Sequence, residues 1–330
     1  MPAAGFTSRQ PSAGWVWVLA AVCAGLTVLY LCVSDLTVVG ECLTVWPSCL
    51  WALVLAPRAL WLWMRGARTQ AAVALACIVA FVASTTELRS CFRRSLRGGA
   101  ASSDTSGGFR FRLMTWNVAG LAPFAEVAPL RPDVFFLQES GRGPSSDGAL
   151  HGMNWLSALD PAVLSRFPVR VLPTERVGPW TEPQVLLAEL PGGRPLILIN
   201  VRLVLPAVVI AVAAGDWRAL RPAHEERIGQ FTRLAALVQR TILEQGTPSV
   251  ILGGDFNCPG GMRSLDALRP LLRDAWQDAG AGWGGTMTAE LPLARIDQVW
   301  LSSDIEVLAG RVEARGSSDH RAVTVDLRIP

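Results

Sequence analysis

Lysine is absent from this chain. All 30 basic residues among its 330 are arginine, and 27 acidic residues leave a formal charge of only +3. A GC-rich genome explains the missing lysine more simply than a binding role does. The arginines are scattered, not gathered into the basic surface that nucleic-acid binding uses. Cysteine is scarce as well. Of seven cysteines, Cys23, Cys32, Cys42, Cys49, Cys77 and Cys91 come early and Cys258 stands alone after them. The larger part of the chain therefore has no disulfide framework and no Cys/His zinc spacing, and must be held by an apolar core.

Charge is missing from three stretches near the N-terminus. Residues 14–33 (GWVWVLAAVCAGLTVLYLCV) carry none, and about 20 such residues are what a helix needs to cross a ~30 Å hydrocarbon layer. A second apolar run, 42–64, is interrupted by Pro47, Pro57 and Arg58, which confines its spanning part to 43–56 or slightly more. A third, 69–84 (TQAAVALACIVAFVAS), is short but feasible in a thin bilayer. A cleaved signal peptide fits the first run poorly, because only Arg9 precedes it and two more runs follow.

Asp35 and Glu41 lie between the first and second runs, whereas Arg58, Arg65 and Arg68 lie toward the junction of the second and third. The positive-inside rule puts that arginine-bearing junction in the cytoplasm, so three spans place the rest of the chain outside the cytoplasmic membrane. Arg89, Arg93, Arg94 and Arg97, after the third run, weigh the other way. The expected organisation is a multi-pass membrane region (1–88), a Gly/Ser-rich flexible linker (89–108) and an α/β domain (109–330) long enough to bury its own core.

In that last part four hydrophobic strand-like runs each stop at a polar residue. They are 109–117 (FRFRLMTWN) at Asn117, 133–139 (DVFFLQE) at Glu139, 196–202 (LILINVR) at Arg202 and 249–255 (SVILGGD) at Asp255. A strand that ends this way delivers its last side chain to the sheet edge, where rigid backbone can hold it against a cation or a phosphate. Further strand-like runs cover 185–190, 296–301 and 322–327. Ile228, Phe231, Leu234, Leu237 or Val238, and Ile242 recur at helical spacing, which predicts a helix over 223–243 with Glu225, Glu226, Arg233 and Gln239 facing water. A shorter helix is expected over 264–276. The stretch 203–214 (LVLPAVVIAVAA) is out of character, since Pro206 and its place beside a candidate site argue against an ordinary core strand. It reads either as a further buried strand or helix, or as an apolar loop that touches the membrane or a lipid tail.

Phosphoester hydrolysis needs charge neutralisation on the phosphoryl oxygens, an activated water and a stabilised leaving group. Hard cations such as Mg2+ (or Mn2+) take oxygen ligands, and Asn117, Glu139 and Asp319 supply a sparse set. Asp255 and Asn257, two apart in Gly-Gly-Asp-Phe-Asn, suit water positioning and phosphate binding, with Gly253 and Gly254 allowing close backbone approach. His320 is the acid/base candidate, and Asp297 is placed to orient its imidazole. Each residue alone has a bland reading: an Asn after a strand is more often a turn former, and Asp297 could pair with Arg295.

The set as a whole resembles the endonuclease/exonuclease/phosphatase family. Thr115-Trp116-Asn117 resembles its opening motif, Leu137-Gln138-Glu139 its metal-ligand motif, and residues 162–168 (AVLSRFP) its "LSRFP"-type strand. Gly254-Asp255-Phe256-Asn257, Arg295-Ile296-Asp297 and Ser318-Asp319-His320 resemble the last three motifs, in family order. The resemblance implies a four-layer α/β sandwich, two packed β-sheets flanked by helices, preceded here by the helical transmembrane region.

One position departs from the pattern. Asn200-Val201-Arg202-Leu203 stands where the family commonly has Asn-x-His-Leu. Arginine can clamp a phosphoryl oxygen but cannot give up a proton, which favours a phosphate or pyrophosphate leaving group over an alkoxide. His224 is a remote substitute for the missing imidazole. The layout is similar to the VanJ-like membrane members of the family, and implies a membrane-anchored hydrolase acting on a lipid-linked phosphate. The alternatives are a surface-exposed metal-dependent nuclease and a binding domain that has lost turnover. Nothing in the sequence calls for an obligate protein partner.

Overall fold

The computed structural model describes residues 14–85, 90–91, 107–121, 124–140, 152–155, 160–179 and 181–330. Most of the expected linker lies outside them.

Beyond the N-terminal helices, the runs rich in Val, Ile, Leu and Phe become strands. These are β1 (Phe109–Asn117), β2 (Val134–Gln138), β3 (Asn154–Trp155), β4 (Ala162–Ser165), β5 (Val169–Val171) and β6 (Gln184–Leu190). They continue with β7 (Arg194–Arg202), β8 (Val250–Asp255), β9 (Arg273–Asp274), β10 (Asp297–Leu301), β11 (Glu306–Val312) and β12 (Val323–Ile329). Two six-stranded mixed sheets result, ordered β11-β12-β1-β2-β4-β3 and β5-β6-β7-β8-β10-β9.

Successive side chains of a strand point to opposite faces, so each central strand serves two cores. Leu113, Phe136 and Val163 of the first sheet meet Leu186, Leu198 and Ile251 of the second in the layer between them. Burial of one such side chain, Phe136, contributes about 1.5–3 kcal/mol. On the far face of the second sheet, Ile197, Ile199, Leu252 and Trp300 lie under a long helix through Phe231, Leu234, Leu237 and Val238. Met114, Trp116, Phe135 and Leu137 form the outer core of the first sheet with Val127 of a one-turn helix.

Near the N-terminus α1 (Gly14–Val28) runs on through a π turn (Leu29–Val33) and a 3-10 turn (Ser34–Leu36). After it come α2 (Val38–Thr44), α3 (Ser48–Met64) and α4 (Arg68–Thr85). By length and composition two of these helical stretches could cross a membrane, Gly14–Leu36 and Arg68–Thr85. A third results if α2 and α3, bent by 74°, count as one span. The expected 43–56 segment is corrected here. The break falls inside it at Val45–Pro47, because Pro47 cannot continue α2 but is tolerated at the start of α3, which then runs through Pro57 to Met64.

Two further elements complete the fold. Residues 203–214, left open above, end in α5 (Ala207–Ala214), with Val212 60 % exposed. The amphipathic helix is α6 (Leu220–Gln245), closed by Gly246 in the left-handed region at φ 63°. The helix expected over 264–276 does not form. Pro270 disfavours helical backbone before it, and the segment divides into a 3-10 turn (Arg263–Ala267), β9 and one turn, Ala275–Ala279, capped by Asp274.

The N-terminal helices dock on the sandwich through two carboxylates, both fully buried. Asp35 Oδ1 accepts from Ser264 N at 2.9 Å. Glu41 Oε1 accepts from Ala207 N at 2.6 Å and lies 3.6 Å from Arg227 Nε, while its Oε2 lies 2.5 Å from His224 Nδ1. His224 is thus committed to Glu41 and does not supply the imidazole missing at position 202.

Candidate active site

Strand direction gathers the polar ends at one edge. β1 and β2 are parallel with Asn117 opposite Gln138, and β7 and β8 are parallel with Arg202 opposite Asp255. β10 runs antiparallel to β8, so its first residue, Asp297, also pairs with Asp255. Gly254 makes the β7–β8 contact feasible. A Cβ there would sit 1.9 Å from Val201 O, and the residue holds φ 139°. The glycine admits a neighbouring strand, not the ligand backbone approach expected from the sequence.

Three of the expected catalytic residues form a buried cluster. One ligand-type atom from each of Asp255, Asp297 and His320 lies within 4.8 Å of the others. His320 Nδ1 is 2.9 Å from Asp297 Oδ2, while Asp297 Oδ1 is buried with no hydrogen-bond partner among the described residues. Arg295, the bland alternative partner for Asp297, pairs with Asp274 instead, at 2.5 Å. Burial pushes the Asp255 carboxyl up to about 7, helped by the Asp297 charge and opposed by His320. Burial alone would lower the His320 imidazole, but Asp297 beside it, with Asp255 and Asp319, outweighs this and raises it to about 9.

A polar net joins this cluster to Glu139. Asn117 Nδ2 donates to Glu139 Oε1 at 2.8 Å and to Asp255 Oδ2 at 3.0 Å. Its Oδ1 accepts from Ala119 N at 3.0 Å, which leaves that oxygen a second lone pair. Asn257 donates its backbone N–H to Asp255 Oδ1 at 2.8 Å and its Nδ2 to Asp255 Oδ2 at 3.2 Å and Leu203 O at 2.9 Å. Arg202 reaches Glu139 Oε1 at 2.6 Å. Glu139 and Asn257 hold left-handed backbone, φ 54° and 47°, at a cost on the order of 1 kcal/mol each. Asp319 is exposed; Ser318 Oγ bonds Asn117 O at 2.7 Å and lies 3.4 Å from Asp319 Oδ1, which fixes the acid beside the end of β1.

Among the described residues the group placed to hold a cation is Asp255, Asp297 and His320, with Asp297 Oδ1 unpartnered, and not the expected Asn117, Glu139 and Asp319; Asn117 joins the two by bonding both Asp255 and Glu139.

Several residues of the site were missed in the sequence. Asp160 accepts from Glu139 N at 2.7 Å and faces Arg202 NH1 at 3.8 Å. Thr286 Oγ1 accepts from Asp297 N at 3.2 Å, and Trp116 Nε1 donates to His320 O at 2.9 Å. Gln138 and Asn200, both fully buried, bond at 2.6 Å and link the two sheets behind the site. Only Gln138 and Asn200 announced themselves, as polar residues inside apolar runs.

The chain is similar to known proteins. The family model described as "Endonuclease/Exonuclease/phosphatase family" matches residues 114–320, from the inner part of β1 to His320. A family protein from Bacteroides thetaiotaomicron aligns at a TM-score of 0.51 and 17% identity, covering 68% of this chain and 100% of its own. One from Bacteroides vulgatus aligns at 0.51 and 15%, covering 67% and 100%. A mannosyl-6-phosphatase of Bacteroides thetaiotaomicron aligns at 0.48 and 17%, covering 66% and 99%. No curated protein matches the chain in sequence. Both structures at 0.51 share the two-sheet fold, and the family model spans the strand ends that carry the site. The chain belongs to the endonuclease/exonuclease/phosphatase family.

Proposed function

We propose that this protein is a membrane-anchored, divalent-metal-dependent phosphoesterase of the VanJ-like kind that removes phosphate from a lipid-linked phosphate or pyrophosphate at the membrane surface. The observation that carries the reading is the buried Asp255–Asp297–His320 cluster, joined by Asn117 to Glu139 and Arg202 at one strand edge. On the family resemblance, and not on their grouping, Asn117, Glu139 and Asp319 are the residues proposed to hold Mg2+ or Mn2+, which would supply charge neutralisation at the phosphoryl oxygens.

The protein groups divide the remaining work. Asp255, with a carboxyl near neutrality, orients the attacking water and takes its proton, while Asn257 braces that carboxylate through its backbone N–H and its Nδ2. Asp297 fixes Nδ1 of His320, keeping the imidazolium charged with Nε2 left to face the phosphoryl group. Arg202 neutralises phosphoryl charge without donating a proton, which suits a phosphate leaving group.

The membrane half of the proposal rests on Asp35 and Glu41. These residues, between the first and second apolar runs, bond to the sandwich itself. Arg58 stacks on Trp15 and Trp61 at 4.5 Å and 4.1 Å, with Arg65 and Arg68 following at the end of α3 and the start of α4. That arginine end is the cytoplasmic one by the positive-inside rule, which leaves the catalytic domain extracytoplasmic. The test is phosphate release by the full chain with Mg2+ from polyprenyl pyrophosphate, sugar phosphates and DNA. Release from the lipid is expected; DNA hydrolysis with no release from any lipid phosphate would overturn the proposal.

A further inference from the structure

A cavity of about 130 Å³ lies on the seam between the membrane helices and the sandwich. Tyr30 from the π turn after α1, Trp46 from the bend before α3 and Ser48 from the first turn of α3 form one wall; Gly261, Trp283 and Leu293 from loops of the sandwich form the other. Both loops lead directly into the site. The first lining residue, Pro259, follows Asn257 by two positions, and the last, Arg295, precedes Asp297 by two.

The lining is mostly apolar, and Ser48, only 2 % exposed, has an Oγ with no hydrogen-bond partner among the described residues. A buried hydroxyl left unsatisfied costs free energy, and a dry apolar cavity forfeits contacts along its walls. An occupant repairs both. Its location restricts what that occupant can be: one wall belongs to helices of membrane-spanning length, the other to the loops that carry Asn257 and Asp297.

We infer that this cavity receives the first segment of the hydrocarbon chain of a lipid phosphate whose phosphate group lies at the strand edge. The inference rests on the phosphoesterase reading and extends it to the apolar part of the substrate. A cavity of roughly 150 Å³ accommodates a benzene-sized group, so the seam holds about six carbons and the rest of the chain remains in the bilayer. A soluble sugar phosphate or a nucleic acid has no group to place there.

The probes are inorganic phosphate and methyl, butyl and hexyl monophosphate. Binding is measured by calorimetry with full-length His320→Ala protein in phosphatidylcholine nanodiscs with Mg2+, where turnover is suppressed. Affinity is expected to rise roughly threefold per methylene up to hexyl, as burial of that surface implies. Two variants fill the cavity from opposite walls. Gly261→Phe adds a side chain where a Cβ meets nothing within 4 Å, and Ser48→Leu replaces the unpartnered hydroxyl. Either should reduce the methyl-to-hexyl gain to less than about twofold while leaving inorganic phosphate affinity unchanged. Affinity independent of chain length, or a chain-length gain that survives both variants, overturns the inference and leaves the phosphoesterase reading standing. No binding of inorganic phosphate by the wild-type chain, which keeps His320, removes that reading and the inference with it.

Discussion

Asp297 gives one oxygen to His320 and keeps the other without a partner among the described residues. Its charge is a main reason that the buried imidazole lies near 9, so Asp297→Asn preserves shape but removes the stabilisation of the imidazolium. The His320 resonance should then titrate well below its wild-type value by NMR, and hydrolysis should fall about a hundred- to ten-thousand-fold with the circular dichroism spectrum unchanged. An unshifted titration would show that the pair does not work as described. These two residues were legible in the sequence because they sit in compact motifs at strand boundaries, as do Asn117, Glu139, Asp255 and Asn257. Asp160 was not. Its contacts are with Glu139 and Arg202, from separate strand ends, and nothing in a carboxylate beside a proline foretells them. The same limit applies to Arg202: its departure from the family pattern was readable, but its ion pair with Glu139 depends on two sheets meeting.

At the scale of elements, α6 shows what periodicity conveys and what it omits. The spacing of Phe231, Leu234 and Val238 gave the helix and its inward face, yet His224, Arg227 and Gln230 are buried on it too. Two of these polar residues meet Glu41, which lies in α2 about 180 positions earlier, and no local pattern encodes such a partner. Glu41 has no exposed surface and engages Ala207 N, His224 and Arg227 together. Glu41→Ala strands a buried arginine and an uncapped amide at the start of α5. It should cost about 3–5 kcal/mol, read as a lowered unfolding midpoint of the detergent-solubilised protein. Glu225→Ala, on the exposed side of α6, should stay within about 0.5 kcal/mol. Equal midpoints for the two variants would deny Glu41 its structural role. Breaks in elements were harder to read than their presence. Pro47 and Pro270 were visible, but whether each would end, start or bend a helix was settled by the packing around it.

For the molecule as a whole, Asp35 and Glu41 tie the turn after the first apolar run to the same body that holds the catalytic edge. If three spans cross the bilayer, that turn and the C-terminus share one side and the Arg65–Arg68 junction occupies the other. A reporter that is active only outside the cytoplasm should therefore work when fused after Pro330 and fail when inserted between Gly66 and Ala67. Activity at both positions, or only at the inner one, would reverse the proposed orientation. Ser90, a few residues past α4, is stitched to Gly282 in both directions: its Oγ donates to Gly282 O at 2.8 Å and its carbonyl accepts from Gly282 N at 3.0 Å. The start of the expected 89–108 linker is thereby pinned to the sandwich at Ser90, five positions past α4. If the helices span a bilayer as proposed, the strand edge that carries the site cannot swing out in search of a target, and keeps a constant height above the headgroups. Encounter with the proposed lipid substrate would then be a two-dimensional event, with turnover governed by how many substrate molecules occupy each unit of membrane area and indifferent to the volume of the surrounding solution.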